Sequence, residues 1–209
     1  MEWKFEKVIA TEQELRGLMG YPSEIVTRKT ISYIDEHCRS FIENSPFITI
    51  ATSDLKGNLD VSPKGDPAGF VKILNSTTLA IPDRPGNKKA DTLTNVIQNP
   101  RIGLIFLIPG INETLRINGD AKIVTDKEVL DMLACNGKPP AMAIIVHVKE
   151  AFMHCAKCMI RSNLWRKIED TQERSVPSLA KALVDHGKLD MPVQQLDDMI
   201  KDDEKTNLY

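Results

Sequence analysis

The sequence predicts a single mainly β, α+β domain in which a six-stranded antiparallel core carries helices before and after it. Three observations predict this. Between Phe47 and Ile81, short β-rich runs meet at Gly57-Asn58, Gly65–Gly69 and Asn75-Ser76, giving two hairpin-like units within about 35 residues. On both sides of that stretch the apolar residues recur at helical spacing instead. The 209 residues, 42% hydrophobic and 27% charged, suffice to bury a core without disulfides and are too apolar for a disordered chain. The expected organisation is a helical extension over 1–45, a core over 46–155 and a helical segment over 156–209 that completes the same domain.

Each element has its own signal. Thr11-Glu12-Gln13-Glu14 is a capping box, in which the threonine oxygen accepts the Glu14 amide while the carboxylate reaches back. A second helix is expected to open at Pro22-Ser23, with Ile31, Ile34, Cys38, Phe41 and Ile42 at helical spacing. It stops at Asn44-Ser45-Pro46, because proline disfavours a helical conformation in the residue before it. Strands are predicted over Phe47–Thr52, Leu59–Ser62, Phe70–Leu74 and Thr78–Ile81. Lys88–Gln98 reads as one helix, and Arg101–Ile108 and Glu113–Val124 as strands joined at Pro109-Gly110. Thr125–Glu128, a second capping box, starts a helix to about Cys135 that Gly137-Lys138-Pro139-Pro140 breaks. Ala141–Met153 returns to strand, and helices follow around 156–167, 178–186 and 193–204.

Charge and composition narrow the function. Lys and Arg number 27 against 29 Asp and Glu, a net charge of −2, which argues against a dedicated nucleic-acid or anionic-membrane binder. Any anion site must rest on a local cluster. No run of about 18 apolar residues is present to span a membrane, and the Met1–Lys7 start has no apolar signal region, so a cytoplasmic protein is expected. In that reducing setting Cys38, Cys135, Cys155 and Cys158 default to free thiols. Cys155-Ala-Lys-Cys158 also matches a redox pair or half of a zinc site, although no second such pair exists.

Four stretches could carry chemistry. In Ile81-Pro82-Asp83-Arg84-Pro85-Gly86-Asn87-Lys88-Lys89, a strand ends in a rigid loop and three cations arrive where a helix begins. Lysines in a first helical turn oppose the helix dipole, and a bound phosphate would resolve the conflict; a solvated basic loop is the plainer alternative. Ser62 and Lys64 close a strand at Ser-Pro-Lys-Gly, where hydroxyl and ammonium can meet one anion or simply face water. Arg116 and Asn118 share one face of an alternating strand, and Arg116 suits either a ligand or an ion pair. His154, Lys157, Arg161, Ser162 and Trp165 gather at a strand-to-helix transition, fit either for a planar anionic ligand or for an ordinary surface helix.

From Ser45 to Val124, the order strand, Ser-Pro-Lys-Gly, strand, Pro-Gly-Asn-Lys-Lys, helix, Asn-Pro-Arg, strand, Arg-Ile-Asn-Gly resembles the pyridoxamine 5′-phosphate oxidase-like FMN-binding proteins. The wording Asp-Val-Ser-Pro-Lys-Gly-Asp-Pro, Leu-Ile-Pro-Gly and His-Cys-Ala-Lys is closer to an uncharacterised subgroup of them. The resemblance implies an FMN-binding split β-barrel with Greek-key-like strand order, and a homodimer with flavin at the interface. It places Ser62 and Lys64 beside the flavin and Asn87, Lys88 and Lys89 at its phosphate, and counts Pro82 among the cofactor-binding residues. Thr114 and Arg116 fall on the strand that reaches the ring or phosphate, often from the partner, and Lys157, Arg161 and Ser162 on the subgroup's C-terminal motif. The oxidase's Tyr-x-x-x-Arg-x-x-x-Ser substrate stretch and its C-terminal Arg-x-His are not found, so FMN binding carries over better than vitamin B6 oxidation. The expectation is an FMN-dependent oxidoreductase acting on a small substrate. A non-catalytic protein that stores or senses FMN, haem or a deazaflavin is the alternative.

Overall fold

A computed structural model describes residues 3–166 and 176–209. Its element order is α1 (Glu12–Met19), α2 (Glu24–Arg28), α3 (Glu36–Asn44), β1 (Phe47–Ser53), β2 (Leu59–Gly65), β3 (Lys72–Asn75) and β4 (Thr78–Asp83). There follow α4 (Asp91–Gln98), β5 (Arg101–Leu107), β6 (Thr114–Val124), α5 (Lys127–Met132), β7 (Met142–His154), α6 (Lys157–Ser162), α7 (Leu179–Gly187) and α8 (Val193–Thr206). All seven β-rich runs form strands, one more than the six expected of the core, in a single antiparallel sheet of order β2-β1-β5-β6-β7-β4-β3. This mixed α+β architecture is the split barrel, with β2 and β3 as its free edges.

Alternation sorts the strand residues. Ile48, Ile50, Leu104, Phe106, Leu115 and Ile117 are buried on the inner face, where α3 adds Cys38, Phe41 and Ile42. The buried sequence of β4 is continuous because both its faces are covered: Leu79 and Ile81 enter the main core, while Ala80 joins Leu133, Ala143 and Ile145 beneath α5. Prolines occur where the ladder can spare a donor. Pro63 lies on the edge strand β2, and Pro82 lies beyond the last β3 residue that pairs with β4.

The outer face over β2, β1 and β5 has no such cover. Leu59, Val61, Phe47 and Ile105 are exposed there, around the small residues Ala51 and Gly103.

Three local expectations are corrected. The helix opening at Pro22-Ser23 is two helices, because Ile31 leaves the helical face to form a bridge with Ala151 of β7, and Asp35 caps a fresh start at α3. The box at Thr125–Glu128 does not form: α5 is capped at Asp126 with no side-chain bond, and Cys135 ends in a bridge with Lys138. The helix expected from Lys88 begins only at Asp91, since Lys88 and Ala90 take left-handed backbone angles (φ 61° and 58°) that no helix continues through. The Thr11 box forms as expected, with both reciprocal bonds present. Of the helix read around 156–167, residue 167 lies outside the described residues.

The Asp35 carboxylate accepts the Cys38 amide at 2.8 Å, and that bond holds its pKa below the usual aspartate value. Its contribution is therefore present above the ordinary aspartate pKa and lost as pH falls through the lowered one. Asp35→Ala is expected to cost about 1 kcal/mol in urea unfolding at neutral pH. Cys38 is buried, and burial pushes its thiol up to about 12, whereas Cys155 and Cys158 are exposed. Titration with a disulfide reagent is expected to find two fast thiols, with Cys38 reacting only on unfolding.

Candidate functional site

The rigid loop after β4 forms one wall of a cavity of about 660 Å³, within the range of small-molecule sites. Antiparallel pairing of β4 with β7 sets Asp83 opposite Met142, which brings the Lys138–Pro140 turn against the Pro85–Lys89 loop. The end of β2 supplies Ser62 and Lys64. The cavity thus unites five of the predicted residues, Ser62, Lys64, Asn87, Lys88 and Lys89, and Pro82 lines an adjoining recess of about 410 Å³.

The electrostatics are more finely divided than a loop of three free cations. Arg84 turns inward, donating to Asp66 at 2.7 Å and to the Leu133 carbonyl at 2.8 Å. Lys64 pairs with Asp83 at 2.9 Å and Lys89 with Asp91 at 2.7 Å. The Asp91 bond and charge hold the Lys89 pKa above its ordinary value. Ser62 donates to Asp60, which also accepts from Thr92. Lys88 has no carboxylate partner among the described residues. Around the cavity, Lys64, Arg84 and Lys89 are matched by Asp83, Asp66 and Asp91, which leaves Lys88 and Lys138 as a surplus of two positive charges. The lysines stand before α4 and not in its first turn, so the dipole conflict read from the sequence does not arise. The anion-receptive features are instead the cation surplus and the start of α4, which no side chain caps.

Thr114, Arg116, Lys157, Arg161 and Ser162 lie elsewhere in the chain. In register, Thr114 faces His154 and Arg116 faces Phe152, at the far end of β7 from Met142. Ten residues of strand separate Met142 from Phe152, which puts the two groups on the order of 30 Å apart along the sheet. Thr114 is buried, while Arg116, Lys157, Arg161 and Ser162 are exposed. The Phe152 ring carries a cation on either account, with Lys29 Nζ 5.1 Å and Arg116 Cζ 5.6 Å from its centroid. His154 has its pKa lowered by burial and by the charges of Lys29 and Arg116, so it is neutral at pH 7 amid cations. Trp165 ties the end of α6 to the β5–β6 loop by donating to the Ile111 carbonyl at 2.8 Å.

Sequence reasoning missed Lys138, Tyr209 and Lys29. Lys138 sat in a stretch read only as a helix breaker, and the other two reach their sites through contacts that no local pattern announces. Cys155 and Cys158 are both exposed free thiols, and among the described residues no three His, Cys, Asp or Glu side chains gather as a metal site. No helix among them is long and apolar enough to cross a membrane.

The chain is a seven-stranded split barrel with a cation-rich cavity at the end of β4. The family profile described as pyridoxamine 5′-phosphate oxidase matches residues 34–155, more than half of the chain, and the chain belongs to that family. No curated protein matches it. Among solved structures it is similar to HupZ of Group A Streptococcus, at 21% identity over 57% of this chain and 93% of that one, with a TM-score of 0.49. It is similar to a Lactobacillus delbrueckii protein provisionally named a pyridoxamine 5′-phosphate oxidase, at 20% identity over 58% and 95%, TM-score 0.47. It is also similar to HutZ, the haem storage protein of Vibrio cholerae, at 12% identity over 58% and 93%, TM-score 0.41.

Proposed function

We propose that the protein binds FMN in this cavity and is an FMN-dependent oxidoreductase acting on a small substrate. One observation carries the reading: a ligand-sized cavity in which five cations outnumber the three carboxylates paired with them, with Lys88 unneutralised. These residues fit a phosphate-bearing flavin. Lys88 and Lys89 would hold the phosphate with Asn87, and Lys64 would lie toward the ring, where a cation favours negative charge as it develops. When bound, FMN supplies the two-electron acceptor chemistry, and the chain orients it and excludes water.

Thr114, Arg116, Lys157, Arg161 and Ser162 stand too far along the sheet to reach the same ligand as Lys88 of their own chain. A homodimer gives them a place: each site takes the β4 loop from one protomer and this second group from its partner. The uncovered apolar face of β2, β1 and β5 supports such pairing, since a contiguous exposed apolar patch of this kind marks an association surface. The unpaired cysteines suit a reducing cytoplasm.

The test is purification followed by visible spectroscopy and sedimentation, with a yellow dimer of one FMN per chain as the expected result. A colourless monomer that takes up no added FMN overturns the reading. The missing substrate-phosphate stretch favours a second reading, a storage or sensing protein for FMN, a deazaflavin or haem. Anaerobic mixing with NADH, NADPH or pyridoxamine phosphate decides between them: bleaching by any donor supports the enzyme, and none supports the binding protein.

A further inference from the structure

We infer that the segment after α8 is a latch, in which Tyr209 closes one side of the cavity and must let go before ligand exchanges. The inference rests on the cavity being the FMN site. Three contacts fix Tyr209, each to a different part of the wall. Its hydroxyl donates to Asp66 Oδ1 at 2.8 Å, its ring lies 5.5 Å beneath the Arg84 guanidinium, and its carbonyl oxygen accepts from Lys138 Nζ at 3.2 Å. Asp66 follows β2, Arg84 follows β4 and Lys138 precedes β7, so one residue ties together the three segments that frame the opening.

The anchor is built rather than incidental. The Asp66 side chain is only 2% exposed, and its two oxygens are divided between Arg84 and Tyr209. The Cys135 thiol and the Asp66 carboxylate beside the phenol hold its pKa well above the ordinary tyrosine value, so the hydroxyl stays a donor at neutral pH. By contrast α8 itself buries no residue fully and packs on α7, and the hydrogen bonds that join the segment after it to the cavity wall are those of Tyr209. A hold confined to one residue releases by local opening, without unfolding of the sheet.

Tyr209 is a wall and not a plug. With it in place the cavity still measures about 660 Å³, roomy enough for a small-molecule ligand. Its removal is therefore expected to speed both entry and release, leaving equilibrium affinity within about threefold. A plug would instead give tighter binding on removal, with release unchanged.

The experiment compares the full chain carrying Tyr209, Tyr209→Phe and Tyr209→Ala, each with Cys155→Ser and Cys158→Ser so that Cys135 is the reporter thiol. Tyr209→Phe leaves Asp66 paired with Arg84 and keeps the fold. Without ligand, Cys135 is expected to react with a disulfide reagent at least tenfold faster in Tyr209→Ala and by an intermediate factor in Tyr209→Phe. FMN release, followed by recovery of flavin fluorescence on dilution, is expected to rise in the same order. An unchanged Cys135 rate overturns the latch, as does a faster Cys135 rate with unchanged FMN release. If the parent chain binds no FMN, the cofactor reading fails by itself, and the gating claim that rests on it fails too; the Cys135 rates then show only whether the contact opens.

Discussion

Replacing Lys88 and Lys89 together by alanine is expected to weaken FMN binding by about 100-fold while the fold survives. A hydrogen bond to a charged group contributes about 1.5–3 kcal/mol, and two such bonds to one phosphate, partly screened by solvent, reach that factor. Lys89 is already engaged by Asp91 in a largely exposed pair, whereas Lys88 has no such partner, so Lys88→Ala alone should account for most of the loss. Neither side chain belongs to the core, and the thermal midpoint without ligand should stay where it is. Fluorescence titration with FMN measures the first effect and circular dichroism the second. An unchanged affinity in the double variant would place the anion elsewhere. The loss should also shrink as salt is raised, because the wild-type contact weakens with screening while the variant has little left to screen.

The largest stability effect is expected at Gly119. The β6–β7 register slips between Asn118 and Gly119, and at that bulge a Cβ on residue 119 would stand 2.2 Å from the His147 carbonyl oxygen and 3.3 Å from Val146 Cγ1. The oxygen cannot yield, because β7 is held by β6 on one side and β4 on the other. Gly119→Ala must therefore open the longest strand pair in the sheet, at a cost of about 3 kcal/mol. That corresponds to a fall of roughly 6–12 °C in Tm for a chain of this size. Gly17→Ala is the control. Nothing lies within 4 Å of its added Cβ, and the substitution favours α1 without touching the core, so the midpoint should not fall. Equal losses in both variants would show that the bulge geometry is not what Gly119 serves.

Legibility in the sequence followed the range of the forces. Periodicity and turn residues are local, and they located all seven strands and most of the helices, because alternation and 3.6-residue spacing record which face meets the core. Ser45-Pro46 ended α3 and Asn99-Pro100 followed α4 as read. The failures were also physical. Ile31 fits a helical stripe as well as it fits a bridge to Ala151, and only the position of β7 chooses between them. The start of α4 was misplaced by three residues because left-handed backbone at Lys88 and Ala90 leaves no compositional mark on lysine or alanine.

The same division holds at the site. That a basic loop follows β4, and that Ser62 and Lys64 close β2, could be read directly, as could the family that these motifs belong to. Which of the cations are spent inside the protein could not. Asp66, Asp83 and Asp91 come from separate positions along the chain, and their pairing with Arg84, Lys64 and Lys89 depends on distances that folding alone sets. Lys138 and Tyr209 join the cavity from 49 and 120 residues beyond Lys89, too far for any local pattern to carry. The sequence by itself determined the strands, the family and the presence of a basic loop after β4, because each is written in neighbouring residues. The tertiary structure decided the cavity's charge, its walls and its latch, because these arise where distant segments meet.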